Sequence, residues 1–292
     1  MTPSPARALL PYPGLRPFER YEADVFFGRE AQVDAMVDRL ARHRLLVVTG
    51  GSGCGKSSLV RAGLLEALET GLLAAAGPVW RFATLRPGGH PMTELAAAVI
   101  AALGGPHTPD DVALRRAGLE RGPLSLIEEL RERPLPDNGN LLVLVDQFEE
   151  LFRYGSLAGR EEAEAFVALL LASADHDSVP IYVVVTMRSD FLGRCAEFTD
   201  LAEAISDAQY LCPRLNREQI AACLLGHHRS CVEGDALRST SSLQVLPRAA
   251  EICENAPHQT RADGEEVSAV LPTDLPQVNH PQVEFVDERC GL

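Results

Sequence analysis

Residues Gly50-Gly51-Ser52-Gly53-Cys54-Gly55-Lys56-Ser57 fit the spacing G-x-x-x-x-G-K-[ST], and Ser58 follows directly. The chemistry this pattern serves is capture of a polyphosphate anion. Its glycines let the backbone come close and adopt positive φ, so that N–H groups converge on the anion beside a helix N-terminus. Lys56 adds a compact ammonium. It is the only lysine in a chain with 27 Lys and Arg positions, which marks the one place where a planar guanidinium is no substitute. A bound nucleoside triphosphate brings a need for Mg2+ to bridge its phosphates. The usual protein ligands are the loop hydroxyl and an acid at the end of a nearby strand. Ser57 and Asp146 fit those two positions, Asp146 closing the apolar run Leu141-Leu142-Val143-Leu144-Val145.

Two further groups extend the candidate site. Gln147-Phe148-Glu149-Glu150-Leu151 offers a pair of carboxylates, either of which suits the orientation or deprotonation of an attacking water. Acids at a solvated helix start would read the same way. The residues leave open which of Glu149 and Glu150 is catalytic. Thr186-Met187-Arg188 closes another apolar strand, and a strand beside the phosphate loop would deliver Arg188 to the terminal phosphate. Cys54, near a lysine and a helix N-terminus, sits where a thiol pKa is lowered, although a small residue filling a tight loop is the plainer reading. Cys223, His227, His228 and Cys231 match no standard zinc spacing.

These residues need a scaffold, and the patterning supplies one. A helical repeat at Val33, Met36, Val37 and Leu40 precedes an apolar strand, Leu45 to Thr49, which feeds the loop. After the loop, Leu59, Val60, Leu64, Leu65 and Leu68 share a helical face. Further strands are expected near Val79 to Leu85, over Leu141 to Asp146, over Ile181 to Thr186 and, shorter, over Tyr210 to Cys212. Helices are expected from near Pro91, around Leu124 to Leu130 and from about Arg160 to Ala174. The alternation predicts an α/β fold, a doubly wound parallel sheet with helices on both faces. The expected division is an irregular lead-in over 1–28, a nucleotide-binding domain over 29–226, and a largely disordered tail over 227–292, rich in polar residues without period.

Composition narrows the setting. A length of 292 with 46% hydrophobic residues supports a substantial core. A net charge of −14 argues against general nucleic-acid binding or attraction to an anionic membrane. Seven cysteines without a C-x-x-C pair, and no signal-peptide stretch, point to a reducing, cytoplasmic location.

Taken together the motifs resemble a bacterial STAND-class P-loop NTPase of the "novel STAND" type, related to NACHT and NB-ARC modules. The resemblance spans roughly 11–225 and rests on Pro13-Gly14-Leu15-Arg16-Pro17-Phe18, Phe27-Gly28-Arg29-Glu30, the phosphate loop, Val145 to Leu151, Thr186-Met187-Arg188 and Tyr210 to Leu215. It implies that Gly28 and Arg29 lie against the adenine and help select ATP, and that Arg188 is the phosphate sensor. Gln147 stands where many related ATPases carry the catalytic glutamate, which implies slow hydrolysis. Relatives continue into helical and sensor domains that do not appear here, so a truncated or frame-altered product is one expectation.

The favoured reading is therefore a regulatory switch ATPase in signalling. The alternatives are a non-hydrolysing interaction module in which nucleotide drives homo-oligomer assembly, and a non-functional remnant. A small-molecule kinase is disfavoured, because no arginine cluster follows the core to hold an acceptor.

Overall fold

The computed structural model describes residues 13–14, 16–153 and 157–233. Five strands, β1 (Leu45–Gly50), β2 (Trp80–Leu85), β3 (Asn140–Val145), β4 (Ile181–Arg188) and β5 (Gln209–Leu211), form one parallel sheet in the order β2-β3-β4-β1-β5. In chain order the elements are α1 (Glu30–His43), β1 (Leu45–Gly50), α2 (Lys56–Ser58), a π-helical segment Leu59–Leu64 and α3 (Leu65–Glu69). Then come β2 (Trp80–Leu85), α4 (Pro91–Leu103), α5 (Pro109–Leu119), α6 (Ser125–Glu132), β3 (Asn140–Val145) and α7 (Leu157–Asp175). The series ends with β4 (Ile181–Arg188), α8 (Leu201–Ala208), β5 (Gln209–Leu211) and α9 (Arg217–Glu233).

The central strands are apolar over most of their length because both of their faces are covered. Leu46, Val48, Leu142, Leu144 and Val184 face α1 and the helix after the phosphate loop. Their neighbours Leu45, Val47, Leu141, Val143 and Val183 face α4, α6, α7 and α8 on the other side. The doubly wound expectation is met.

The expected strands and helices appear within a few residues of their anticipated limits. Three departures have identifiable causes. α5 is announced by a capping box, Thr108 with Asp111, and by Pro109 in its first turn, but its apolar face is weak. The helix following the loop widens into a π turn at Leu59–Leu64, which hydrophobic spacing does not reveal. Gly226, read as a boundary, lies inside α9, where a Cβ would come within 2.4 Å of the Phe27 ring. It is a packing glycine, and the helix continues to Glu233. The remainder of the expected disordered tail, 234–292, lies outside the described residues.

The lead-in is also more ordered than anticipated. Residues 16–28 carry a 3-10 helix, Arg20–Val25, and lie along the helix after the phosphate loop. Phe18 N donates to Ser58 Oγ at 3.1 Å, Arg61 pairs with Glu19 at 2.7 Å, and Arg20 pairs with Glu69. Residues 1–12 and 15 lie outside the described set.

Candidate nucleotide site

The phosphate loop joins the C-terminal end of β1 to α2, where an open parallel sheet offers its ligand crevice. Gly53 and Gly55 hold φ of 75° and 89°, conformations that a side chain would strain. Gly51 and Gly53 have open space where a Cβ would stand, so the rim of the loop is accessible. Gly50 is tight instead. A Cβ there would meet Cys54 Sγ at 2.8 Å and the Cys212 carbonyl oxygen at 3.1 Å. Lys56 Nζ donates to the carbonyl oxygens of Gly50 and Gly51 at 3.0 and 2.9 Å, which folds the ammonium over the loop. Ser52 is exposed on the same rim.

Asp146 is fully buried and fully engaged. Its Oδ1 accepts from Ser57 Oγ at 2.8 Å and from Thr186 Oγ1 at 2.6 Å, while Oδ2 accepts from Arg61 Nη2 at 2.9 Å. Arg86 Nε stands 3.9 Å from the same oxygen. A buried carboxylate needs such compensation, and two arginines with two hydroxyls provide it. The strand carrying Asp146 is not next to β1, as a simple neighbour argument would have it. β4 intervenes and contributes Thr186 to the same cluster.

The two acids diverge. Glu149 is buried, and its Oε2 accepts from Arg188 N at 3.4 Å, on the β4 side. Glu150 turns toward β2 and accepts from Gly88 N at 3.2 Å. Gln147 between them and Asp146 takes a φ of 61°, with its N–H donating to Thr186 Oγ1 at 3.0 Å. Non-glycine residues in that region are uncommon and gather at functional turns.

Arg188 is paired in register with Gly50, which sets it directly beside the phosphate loop. Its guanidinium is half-exposed, bonded to Asp190 and 5.9 Å from the Phe191 ring centroid, with Nε buried and without a hydrogen-bond partner. The hydrogen bond to Asp190 raises the Arg188 pKa and lowers that of the carboxyl.

Arg29 is placed differently from a residue that simply covers a base. Its buried guanidinium donates to the Cys54 carbonyl through Nη2 and to the Pro213 carbonyl through Nη1, both at 2.9 Å. It clamps the back of the loop to the segment before α9. Gly28, with φ of 78°, leaves room for α9, since a Cβ would stand 2.7 Å from the Gln219 carbonyl oxygen. The Ser58 hydroxyl is taken up by the lead-in.

Sequence reasoning missed Arg61 and Arg86 and quoted Thr186 without giving it a part. Signals for the arginines were present. Arg61 lies four positions after Ser57 on a helix, and Arg86 follows the last residue of β2, the strand-end argument that selected Arg188.

The family model described as Novel STAND NTPase 1 matches residues 11–230. The chain belongs to that family. Membership makes it a nucleotide-binding P-loop NTPase, and the matched range takes in the lead-in from residue 11 onward and most of α9. No curated protein matches the chain. Among solved structures, this family member is similar to the ORC1 protein of Aeropyrum pernix in complex with DNA. The TM-score is 0.50 and identity 16%, over 81% of this chain and 59% of that one. It also matches the Walker-type ATPase PABY2304 of Pyrococcus abyssi, with TM-score 0.46 and 17% identity over 82% and 75% of the respective chains. At such identities the likeness to ORC1 concerns fold alone, and the chain spans 59% of that protein's length. Among the described residues no helix is long and apolar enough to cross a membrane.

The side chains fit a nucleotide with its metal. The open loop rim, the folded-over ammonium, and a hydroxyl 2.8 Å from a carboxylate oxygen make an anion cradle next to a pair of hard oxygen donors. Neither donor is a thiolate or imidazole, which agrees with Mg2+ rather than a softer ion.

Proposed function

We propose that this chain is a nucleotide-dependent switch that binds ATP with Mg2+ and hydrolyses it slowly to control conformation or assembly in signalling. The observation that carries the reading is the convergence at one end of the sheet of Lys56, Ser57, Asp146, Glu149 and Arg188. In this assignment the loop from Gly50 to Gly55 cradles the phosphates through its backbone, with Ser52, Cys54 and Ser58 contributing main-chain N–H groups. Lys56 offsets phosphate charge. Ser57 and Asp146 would hold Mg2+, which when bound supplies charge neutralisation across the phosphates. Glu149 is the better candidate base, since it lies on the β4 side with Arg188, while Glu150 faces β2. Glu149 would accept the proton of the attacking water, and Arg188 would stabilise the charge that develops on the terminal phosphate.

Gln147 in place of an acid directly after Asp146 supports slow turnover. Gly28 and Arg29 act on the nucleotide through the geometry they impose on the loop and α9, beside any contact with the adenine. We place the NTPase module at 29–226, extended by the lead-in strap and the last turns of α9. The net charge of −14 favours a protein or small-molecule signal over general binding to nucleic acid. A non-hydrolysing assembly module is the second reading, favoured by that same glutamine.

Single-turnover hydrolysis of ATP, read beside equilibrium binding, tests the assignment. Glu149→Gln should retain binding and lose turnover by 10²-fold or more on the order expected for a general base. Turnover unchanged in Glu149→Gln but lost in Glu150→Gln would reassign the base. Binding without turnover in the native chain would favour the second reading.

A further inference from the structure

Two cysteine thiols that the nucleotide chemistry does not use lie together behind the phosphate loop. Cys212 Sγ lies 3.7 Å from the Cys54 carbonyl oxygen, and the two thiols are close enough to perturb each other's titration. Both crowd the bare Cα of Gly50, where a Cβ would stand 2.8 Å from Cys54 Sγ and 3.4 Å from the Cys212 Cβ. Both are buried. Cations flank the pair: Lys56 Nζ is 4.0 Å from Cys54 Sγ, and the Arg29 guanidinium bonds to the Cys54 carbonyl.

This setting separates the roles of the two sulfurs. The hydrogen bond from Cys212, followed by the Lys56 charge, lowers the Cys54 pKa to about 6 against the cost of burial. The same hydrogen bond, with burial, pushes Cys212 up. One thiol is thus a thiolate nucleophile near neutral pH and its partner a protonated neighbour. Cys195, by contrast, is raised to about 11 by burial and has no such arrangement.

We propose that Cys54 and Cys212 form an oxidation site at which a hydroperoxide closes a disulfide between the phosphate loop and the segment leading into α9. The Cys54 thiolate attacks the O–O bond of the hydroperoxide. An S–O bond forms, the O–O bond breaks, and the departing oxygen takes a proton to leave as an alcohol or, from hydrogen peroxide, as water. Cys212 sulfur then attacks the sulfenic sulfur of Cys54. The S–S bond forms, the S–O bond breaks, and the Cys212 proton leaves with the hydroxyl as water. The two thiols lose two electrons, which reduce the hydroperoxide. Closed, the bond ties together the segments that Arg29 already bridges through the carbonyls of Cys54 and Pro213. The proposal concerns thiol chemistry alone and stands whether or not the chain hydrolyses ATP.

The test treats the full reduced chain with hydrogen peroxide, blocks remaining thiols with N-ethylmaleimide, and maps peptides without reduction. The expected product is a peptide pair joined through Cys54 and Cys212, two hydrogens lighter than the reduced pair and separated again by dithiothreitol. Cys212→Ala and Cys212→Ser should each lose the link and leave Cys54 carrying oxygen. Recovery of Cys54 as the maleimide adduct after peroxide, its direct conversion to sulfinic or sulfonic acid in the native chain, or its linkage to a different cysteine would overturn the proposal.

Discussion

Ser57 Oγ and Asp146 Oδ1 stand 2.8 Å apart, joined by a hydrogen bond across 89 positions of sequence. That contact fixes the first turn after the phosphate loop against the end of β3, so the two candidate metal ligands are already assembled. In the proposed assignment, ligand binding would draw the Lys56 ammonium from the carbonyls of Gly50 and Gly51 toward phosphate.

Lys56→Ala should abolish nucleotide recognition without disturbing the fold, because its hydrogen-bonding partners among the described residues are loop carbonyls and a neighbouring thiol. A ligand at a hundred times its dissociation constant stabilises by about 2.7 kcal/mol, a rise of a few degrees in Tm for a domain of this size. Differential scanning fluorimetry with ATP·Mg2+ should show the rise in the native chain and none in the variant. An equal rise in both would remove Lys56 from the site.

Arg61→Ala should destabilise the protein by about 3 kcal/mol or more, since Asp146 is fully buried and would lose its closest cation. Urea unfolding measures this directly. Exchange of Asp146 for Asn in the same background should recover part of the loss, because a neutral amide no longer needs the guanidinium. Additive losses would mean that the two side chains are not coupled.

Gly28→Ala combines a positive φ of 78° with a Cβ placed 2.7 Å from the Gln219 carbonyl oxygen. We expect a cost of roughly 1–3 kcal/mol, concentrated in the docking of α9. Hydrogen exchange should accelerate across Arg217–Glu233 while β1 and β4 stay protected. Uniform acceleration would place the strain elsewhere.

Stability should depend on pH through Cys54. Its pKa is about 6 in the folded chain, against an ordinary thiol value of 9.0. The unfolded chain therefore binds the extra proton between those limits, and stability rises with pH across that window and is lost as pH falls through 6. Cys212, whose pKa is raised, does not titrate within it. Urea unfolding at pH 6 and pH 8.5 should show a larger gain for the native chain than for Cys54→Ser. Identical slopes would show that the thiol is neutral in the fold.

The fold was legible because a sheet covered on both faces writes itself as apolar runs, and Leu45 to Thr49, Leu141 to Val145 and Ile181 to Thr186 are such runs. The phosphate loop was legible because backbone geometry demands its glycines. Other features depend on distances that pattern does not encode. The spacing of Leu59, Val60, Leu64 and Leu65 reads as α-helix, yet the turn there is a π turn. Gly226 looks like a stop signal, and only the Phe27 ring against it explains its presence. Arg61 reads as one more polar residue on a helix until Asp146, 85 positions away, is seen to face it.

The folded-over ammonium of Lys56 has a practical corollary. Because no other side chain in the sequence carries a primary amine, reductive methylation with isotope-enriched formaldehyde would install one lysine-derived spectroscopic label, seated on the carbonyls of Gly50 and Gly51. The resonance of that methylated side chain, distinct from that of the methylated α-amine, would follow ligand entry and release at the loop, without an engineered tag.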